Sequence, residues 1–182
     1  MKLVNIYTDG ACSGNQNEDN IGGWGCVLEC AGREKELCGG EVNTTNNRME
    51  LTALIRALEA LKEPGLCLRI FSDSSYLINC FKNKWYVSWQ KNGWKNSKKQ
   101  PVENRELWER LLALLESHTV SFYLVKGHLS LEKAESARVE AAYKRFTEHN
   151  GSSFSIDDFR LISDKNNRCD ALANVFINEN DL

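Results

Sequence analysis

The sequence predicts an α/β fold: a five-stranded mixed sheet, with three antiparallel strands followed by parallel additions, and flanking helices. The first observation is a set of three strand-like runs separated by glycine-containing turns, which favours an antiparallel meander. The second is that each later strand follows a helical segment, which permits a parallel crossover. The length of 182 residues is typical of a single domain, and we assign 1–182 to it.

The first half of the chain contains four strands and one long helix. Strands are predicted at Leu3–Thr8, Gly23–Cys30 and Lys35–Val42. The segment "TTNNRMELTALIRALEALK" repeats leucine and isoleucine at helical spacing, so it is predicted to be an amphipathic helix. After the break "EPG", the run "GLCLRIFSD" is predicted to lie parallel to the first strand.

The second half is predicted to be mainly helical. A short helix over Ser75–Lys82 precedes a basic segment, and "NRELWERLLALLES" forms a helix with Asn104 as its cap. The run "VSFYLVKGH" is the fifth strand. A helix that ends at Gly151 follows, then a shorter one capped by Ser155, and Asp170 is predicted to begin the final helix.

Composition narrows the class of protein. Hydrophobic residues make up 42% and charged residues 26%, no run resembles a membrane span, and the start lacks the pattern of a signal peptide. The seven cysteines include no CxxC pair, which favours reduced thiols over a zinc or redox site. We therefore expect a cytoplasmic protein with no membrane partner, and a monomer.

A basic segment, residues 82–102, contrasts with the net charge of −2. It contains six lysines between Lys82 and Lys99, without any acidic residue, interleaved with three tryptophans. Lysines alone often form only a solvated face, but lysines among aromatic residues favour a protrusion that binds phosphates.

Two strands place an aspartate just after their apolar part. Asp9 and Asp73 would each be ordinary turn residues if they stood alone. If the first and fourth strands are parallel neighbours, both carboxylates reach the same sheet edge. Glu50, in the first turn of the long helix, shares the face of Leu54 and turns inward, although the helix dipole alone would also favour an acid there. Three converging carboxylates predict a Mg²⁺ or Mn²⁺ site.

Six segments, in this order, resemble the type 1 ribonucleases H, particularly the stand-alone bacterial enzymes. They are "YTDGACSGN", "TTNNRMELTA", "IFSDSSYLIN", "NGWKNSKKQPVENRELW", "LVKGH" and "NNRCDALA". The resemblance implies hydrolysis of the RNA strand of an RNA–DNA hybrid, with two Mg²⁺ ions per active site and Mn²⁺ as a substitute. It also implies Asp9, Glu50, Asp73 and Asp170 as metal ligands and His128 as a mobile auxiliary residue.

The resemblance further implies roles for these residues. Asp9 would bridge the two metals, Glu50 would sense the 2′-hydroxyl next to the scissile phosphate, and His128 would move protons or speed product release. Products would carry 5′-phosphate and 3′-hydroxyl ends.

Substrate contacts are implied at two places. Asn15, Asn46 and Asn47 match family positions that contact the minor groove, while Thr45 and Trp85 would lie near the DNA backbone. The other implied contacts belong to the basic segment: Lys91, Trp94, Lys95, Lys98 and Lys99. Ser75 departs from the pattern, because bacterial members commonly have a glutamine there, and this puts one hybrid contact in doubt.

The larger departure is a predicted helical insertion at about 129–165, between the histidine loop and Asp170. Val139, Ala142, Tyr143 and Phe146 form an apolar stripe that predicts packing on the domain edge. A lid over His128 and a docking site for a protein partner are the alternatives. Six basic and seven acidic residues from 129 to 165 argue against a further clamp for nucleic acid.

Three functions can be weighed on these residues. An endoribonuclease is favoured because all four acids are present in their motifs. A non-catalytic module that binds hybrids would be expected to have lost some of them. A transposase or integrase of the same broad fold typically uses fewer acids and lacks the basic protrusion.

Overall fold

A five-stranded sheet forms the centre of the protein. The computed structural model describes residues 1–14, 20–129, 131 and 136–180. The strands are β1 (Leu3–Ser13), β2 (Ile21–Cys30), β3 (Arg33–Val42), β4 (Cys67–Ser72) and β5 (Thr119–Leu124), in the spatial order β3-β2-β1-β4-β5. β1, β2 and β3 are antiparallel, while β4 and β5 join parallel to β1, which confirms the predicted fold class.

Six helices flank the described sheet. They are α1 (Asn46–Glu59), α2 (Ser75–Lys82), α3 (Trp85–Lys91), α4 (Arg105–Leu115), α5 (Ser136–Asn150) and α6 (Ile156–Asn180). Of these, α3 was not predicted, because its seven residues bury no side chain and so show no apolar periodicity.

The first strand is longer than predicted. It continues beyond Thr8 to Ser13, so Asp9 lies inside the strand and pairs with Gly25 rather than following the strand's end. The parallel pairing of β1 with β4 does stop at Thr8 and Ser72. The antiparallel pairing with β2 continues and extends β1, even though the apolar run has ended.

Side chains that point alternately to the two faces of the sheet form two hydrophobic cores. Ile6 and Ile70 point to one face of the sheet, which is covered by α1, α2 and α4. Tyr7 and Phe71 point to the other face, where residues of α5 and α6 cover them. Both sides of the sheet are therefore buried, as is usual for parallel strands.

The last helix corrects two predictions. The separate short helix at "SIDDFRLIS" and a final helix beginning at Asp170 are both wrong, because α6 is one continuous helix and Asp170 lies well inside it. No glycine or proline interrupts this stretch, and buried residues recur at helical spacing, including Phe159, Ile162, Cys169 and Leu172.

The apolar stripe of the predicted insertion packs on the sheet. Val139, Ala142 and Phe146 of α5 are buried in the same core as Phe71, and Tyr143 is partly buried. The side chains considered for partner docking are thus largely covered by the protein's own residues. Whether 129–165 is an insertion relative to the family stays a prediction.

The predicted helix ends are met in part. Gly151 ends α5 with a left-handed backbone (φ 83°). Ser155 begins α6 through reciprocal bonds: its hydroxyl oxygen accepts from the Asp158 N–H, and the Asp158 carboxylate accepts from the Ser155 N–H. Asn104 precedes α4, but its side chain makes no capping hydrogen bond and its backbone is left-handed.

Two further findings concern compartment and membrane. The seven cysteines are free thiols. Within the described part of the chain, no helix combines the length and apolar character that a membrane span requires.

A substitution in α5 tests how far this helix stabilises the fold. Phe146 packs against Phe154 and Phe159, with ring centroids 5.7 and 5.3 Å away. We expect Phe146→Ala to lower the free energy of unfolding by about 3–5 kcal/mol, because it leaves a cavity in the second core. The measurement is urea denaturation.

The matched control is Leu161→Ala, which removes an apolar side chain that is 62% exposed on α6. It should change the free energy of unfolding by less than about 0.5 kcal/mol. Equal effects of the two substitutions would show that α5 does not belong to the core.

Candidate active site

Asp9 lies on β1, the central strand of the sheet, just beyond the point where the pairing with β4 ends. Its side chain is buried, and its Oδ1 accepts a hydrogen bond from the Gly10 N–H at 2.9 Å. Burial raises the pKa of Asp9 to about 8, and the neighbouring Asp73 and Asp170 carboxylates contribute to this rise. A carboxyl group with this pKa holds a proton at neutral pH unless a cation replaces it.

Glu50 enters the site from α1. The helix begins at Asn46, so Glu50 lies in its second turn, not in the predicted first turn, but it does face inward. Burial raises the pKa of Glu50 well above its ordinary value, with further contributions from Asp9 and Asp73. Its Oε2 is buried without a hydrogen-bond partner among the described residues.

Asp73 follows the last residue of β4, as predicted. Burial raises its pKa, whereas the side-chain amide of Asn166 and the nearby His128 oppose this rise. A Cβ at Gly127 would lie 2.2 Å from Asp73 Oδ2. A side chain at residue 127 would therefore displace either the Asp73 carboxylate or the loop after β5.

The three carboxylates converge. One oxygen each from Asp9, Glu50 and Asp73 lies within 4.8 Å of the others. Asp170, half-buried on α6, stands beside this group, since its charge acts on both Asp9 and Asp73. His128 is exposed, has a left-handed backbone (φ 54°), and places its Nδ1 3.7 Å from Asp170 Oδ2. All five predicted catalytic residues thus meet at one sheet edge.

This cluster fits a hard divalent cation. Its donors are carboxylate oxygens, the ligands that Mg²⁺ and Mn²⁺ select. The buried Glu50 Oε2 lacks any other partner in the described structure, and an unpaired buried carboxylate is costly. A bound cation would satisfy that oxygen and offset both the burial and the like charge that raise the three pKa values.

The close approach of α1 and α6 to the sheet depends on glycines. A Cβ at Gly10 would lie 2.5 Å from the Glu50 backbone nitrogen, and one at Gly25 would lie 2.5 Å from the Cys169 carbonyl oxygen. The first glycine admits the helix that carries Glu50, and the second admits the helix that carries Asp170. The acids meet because these glycines let two helices lie against the strands.

The basic segment consists of α3 and the exposed loop that follows it, above a base of aromatic side chains. Its four predicted contact lysines are all exposed: Lys91, Lys95, Lys98 and Lys99. Trp85 is 40% exposed, but Trp94 is only 8% exposed and packs against Trp89 and the Arg105 guanidinium. Trp94 thus supports the loop from below, which leaves Trp85 as the exposed tryptophan of the predicted pair.

The polar residues predicted to contact the hybrid, Asn46 and Asn47 in the minor groove and Thr45 near the DNA backbone, lie at the start of α1. Thr45 and Asn46 are exposed and Asn47 is partly exposed. The Thr45 hydroxyl oxygen accepts a hydrogen bond from the Arg48 N–H at 3.2 Å, so it also caps the helix. Asn15 lies outside the described residues.

Two residues at the site were missed by sequence reasoning. Asn166 is 2% exposed and lies on α6, one helical turn before Asp170. Its side-chain amide opposes the rise in the pKa of Asp73. Its position in "NNRCD" was a signal, since residues four apart share a helix face. The requirement for Gly127 had no such signal, because it arises from a contact between two distant loops.

Comparisons with known proteins agree with this geometry. The family model described as RNase H matches residues 1–144. The chain is 46% identical over 152 residues to a ribonuclease H of Nitratidesulfovibrio vulgaris, covering 81% of this chain and 95% of that one. It is 52% identical over 128 residues to a ribonuclease H of Oleidesulfovibrio alaskensis, covering 70% and 80%.

A solved structure agrees as well. The crystal structure of LC9-RNase H1, a type 1 RNase H with the type 2 active-site motif, aligns with a TM-score of 0.62 at 29% identity, covering 82% of this chain and 72% of that one. Together with the family match over most of the chain, these similarities show that the protein belongs to the RNase H family and is a ribonuclease H.

Proposed function

We propose that the protein is an endoribonuclease that hydrolyses the RNA strand of RNA–DNA hybrids with two divalent metal ions, leaving 5′-phosphate and 3′-hydroxyl ends. The observation that carries this proposal is the cluster of Asp9, Glu50 and Asp73 within 4.8 Å, with Asp170 and His128 beside it. Mg²⁺ is the proposed cofactor and Mn²⁺ its substitute.

The four acids would hold the metals. Asp9 is central and buried, which suits a ligand shared between two ions, while Glu50, Asp73 and Asp170 complete the set. When bound, the ions activate the attacking water and stabilise the departing 3′ oxygen. We propose that Glu50 also senses the 2′-hydroxyl next to the scissile phosphate. Because His128 is exposed and close to Asp170, its imidazole can exchange protons with solvent and with the products.

The basic segment would bind the DNA strand. Its four lysines face solvent at the end of α3 and on the loop after it, whose base is fixed by Trp94. Trp85 offers an exposed ring for the sugar–phosphate backbone. Asn46 and Asn47 lie a few residues before Glu50, and we propose that they contact the minor groove together with Asn15. For Thr45 we propose a position near the DNA backbone.

Location and assembly are proposed on less direct grounds. Seven free thiols suit a reducing compartment, so we propose a cytoplasmic protein. We also propose that it acts as a monomer, since the acids of the cluster all come from one chain.

A cleavage assay tests the function. We expect Mg²⁺-dependent cleavage of a labelled RNA–DNA hybrid in its RNA strand, with no cleavage of duplex DNA or duplex RNA. Binding of the hybrid without any cleavage would instead favour the non-catalytic module. Sequencing of the fragments determines whether the ends are 5′-phosphate and 3′-hydroxyl.

Asp9→Asn tests the metal site. We expect loss of cleavage with hybrid binding retained, because the variant loses a metal ligand but keeps the basic segment. Without metal at neutral pH, the variant should be more stable than the parent, because Asp9 must either bind a proton on folding or bury its charge, and asparagine does neither. Added Mg²⁺ should raise the melting temperature of the parent more than that of the variant. Normal turnover by Asp9→Asn would refute the mechanism.

Gly127→Ala tests the contact between the β5 loop and Asp73. The added methyl group would lie 2.2 Å from Asp73 Oδ2, so the loop or the carboxylate must move. We expect cleavage to fall at least tenfold, because metal ligands need accurate positions. Gly65→Ala is a control in which the new Cβ meets nothing within 4 Å and only the positive φ is strained. This strain should lower stability but leave cleavage near the parent's rate.

Replacement of Lys91, Lys95, Lys98 and Lys99 by glutamine tests the basic segment. We expect KM to rise far more than kcat falls. The slope of log affinity against log salt should become shallower by about 0.7–0.9 for each phosphate that a lysine no longer neutralises. Lys35→Gln with Lys62→Gln removes charge at the opposite end of the sheet and should leave the slope unchanged. An unchanged slope in the fourfold variant would show that this segment does not bind phosphates.

A further inference from the structure

The C-terminal turn of α5 is fixed beside the catalytic edge of the sheet. The Asn150 side chain makes paired hydrogen bonds with the backbone of Leu124: its Oδ1 accepts from the N–H at 2.9 Å, and its Nδ2 donates to the carbonyl oxygen at 2.8 Å. Leu124 ends β5 and pairs with Ser72, the residue before Asp73. This turn therefore lies at the sheet edge that carries the acids.

A cavity of about 230 Å³ lies between this turn and the end of β5. Lys126, Arg145 and His149 line it, above an apolar floor that includes Val125 and Phe146. None of the described residues that line the cavity carries a carboxylate. In the part of the chain that the structure describes, Lys126 and Arg145 form no salt bridge. Two exposed positive charges thus converge from two elements on one concave site.

The α5 side chains that line the cavity carry no carboxylate, although the exposed Glu148 lies three residues from Arg145. Arg145 and His149 are four residues apart, so they share one face, next to the end of β5. Glu140 lies on the outer side, where it accepts a hydrogen bond from the Ser136 hydroxyl. Lys144 also points away from the cavity. The count of six basic and seven acidic residues over 129–165 takes all faces of the helix together. For this reason the count argued against a contact with nucleic acid.

Lys82 connects this site to the basic segment. Its Nζ donates to the His149 carbonyl oxygen and to Asn150 Oδ1, both at 2.9 Å. Both acceptors are neutral, so neither cancels the charge of Lys82. Since α2 ends at Lys82 and the basic segment begins there, positive charge continues from that segment to the cavity.

We propose that Lys126, Arg145 and His149 form a second phosphate-binding surface, which contacts the phosphate backbone of the hybrid on the β5 side of the active site. Lys126 lies two residues before His128, whose Nδ1 is 3.7 Å from Asp170, so a duplex bound at the acids passes close to this surface. Arginine and lysine form charge-assisted hydrogen bonds with phosphate oxygens. The described lining of the cavity has no carboxylate that would repel a phosphate group. The inference rests on the proposed function, because its ligand is the proposed substrate.

Arg145→Gln is the test, with Lys144→Gln as the matched control. Both remove one positive charge from adjacent exposed positions of α5, but only Arg145 faces the cavity. Binding of a labelled RNA–DNA hybrid, without divalent metal, is measured over a range of salt concentrations. We expect Arg145→Gln to make the salt slope shallower by about 0.7–0.9, and the double variant with Lys126→Gln to do so by about twice as much. Lys144→Gln should leave the slope unchanged.

Arg145→Lys controls for structure, because it keeps the charge and should restore most of the slope. Equal slopes for Arg145→Gln and the parent, or equal changes in Arg145→Gln and Lys144→Gln, would overturn the inference. The parent protein separates this failure from that of the proposed function. If the parent neither binds nor cleaves the hybrid, the proposed function fails. If it does both and the Arg145 variants behave like the parent, only the second surface is refuted.

Discussion

Electrostatic repulsion among buried carboxylates is the constraint on which the rest of this structure depends. Burial and like charge raise the pKa of Asp9 from its ordinary 3.8 to about 8. Between these values the folded protein binds more protons than the unfolded chain, so its free energy of unfolding falls as the pH rises. The folded sheet and helices must supply the energy that keeps the acids together. A bound cation makes the cluster stabilising, since the carboxylates that repel one another all attract the cation.

The surrounding architecture holds the acids in place from three directions. The strand pair β1–β4 aligns Asp9 with the position after Ser72, α1 brings Glu50, and α6 brings both Asp170 and Asn166. Each element is fixed by its own apolar core, one on each face of the sheet. Because the two cores are separate, the site lies where two independently packed layers meet at the sheet edge.

Much of this arrangement could be predicted from sequence. The apolar runs "LVNIYTDG" and "LRIFSDSS", with a helix between them, placed Asp9 and Asp73 on parallel neighbours, and helical spacing turned Glu50 inward. These patterns are local and repeat at the period of one element. The burial of Trp94 and the need for glycine at 127 arise from contacts between distant segments, which no local period records. The continuity of α6 was missed because the segment after Ser155 and the segment from Asp170 were interpreted as two separate helices.

The continuous α6 helix joins core packing to the position of an acid at the candidate active site. Its N-terminal half packs Phe159 and Ile162 into the second core, and its C-terminal half carries Asp170 to the acid cluster. A helix is stiff over this length. A shift of the N-terminal half, which packs in the core, therefore also displaces the half that carries Asp170. Repacking of the core around Phe159 would therefore shift Asp170 relative to Asp9, without any change in the acids themselves.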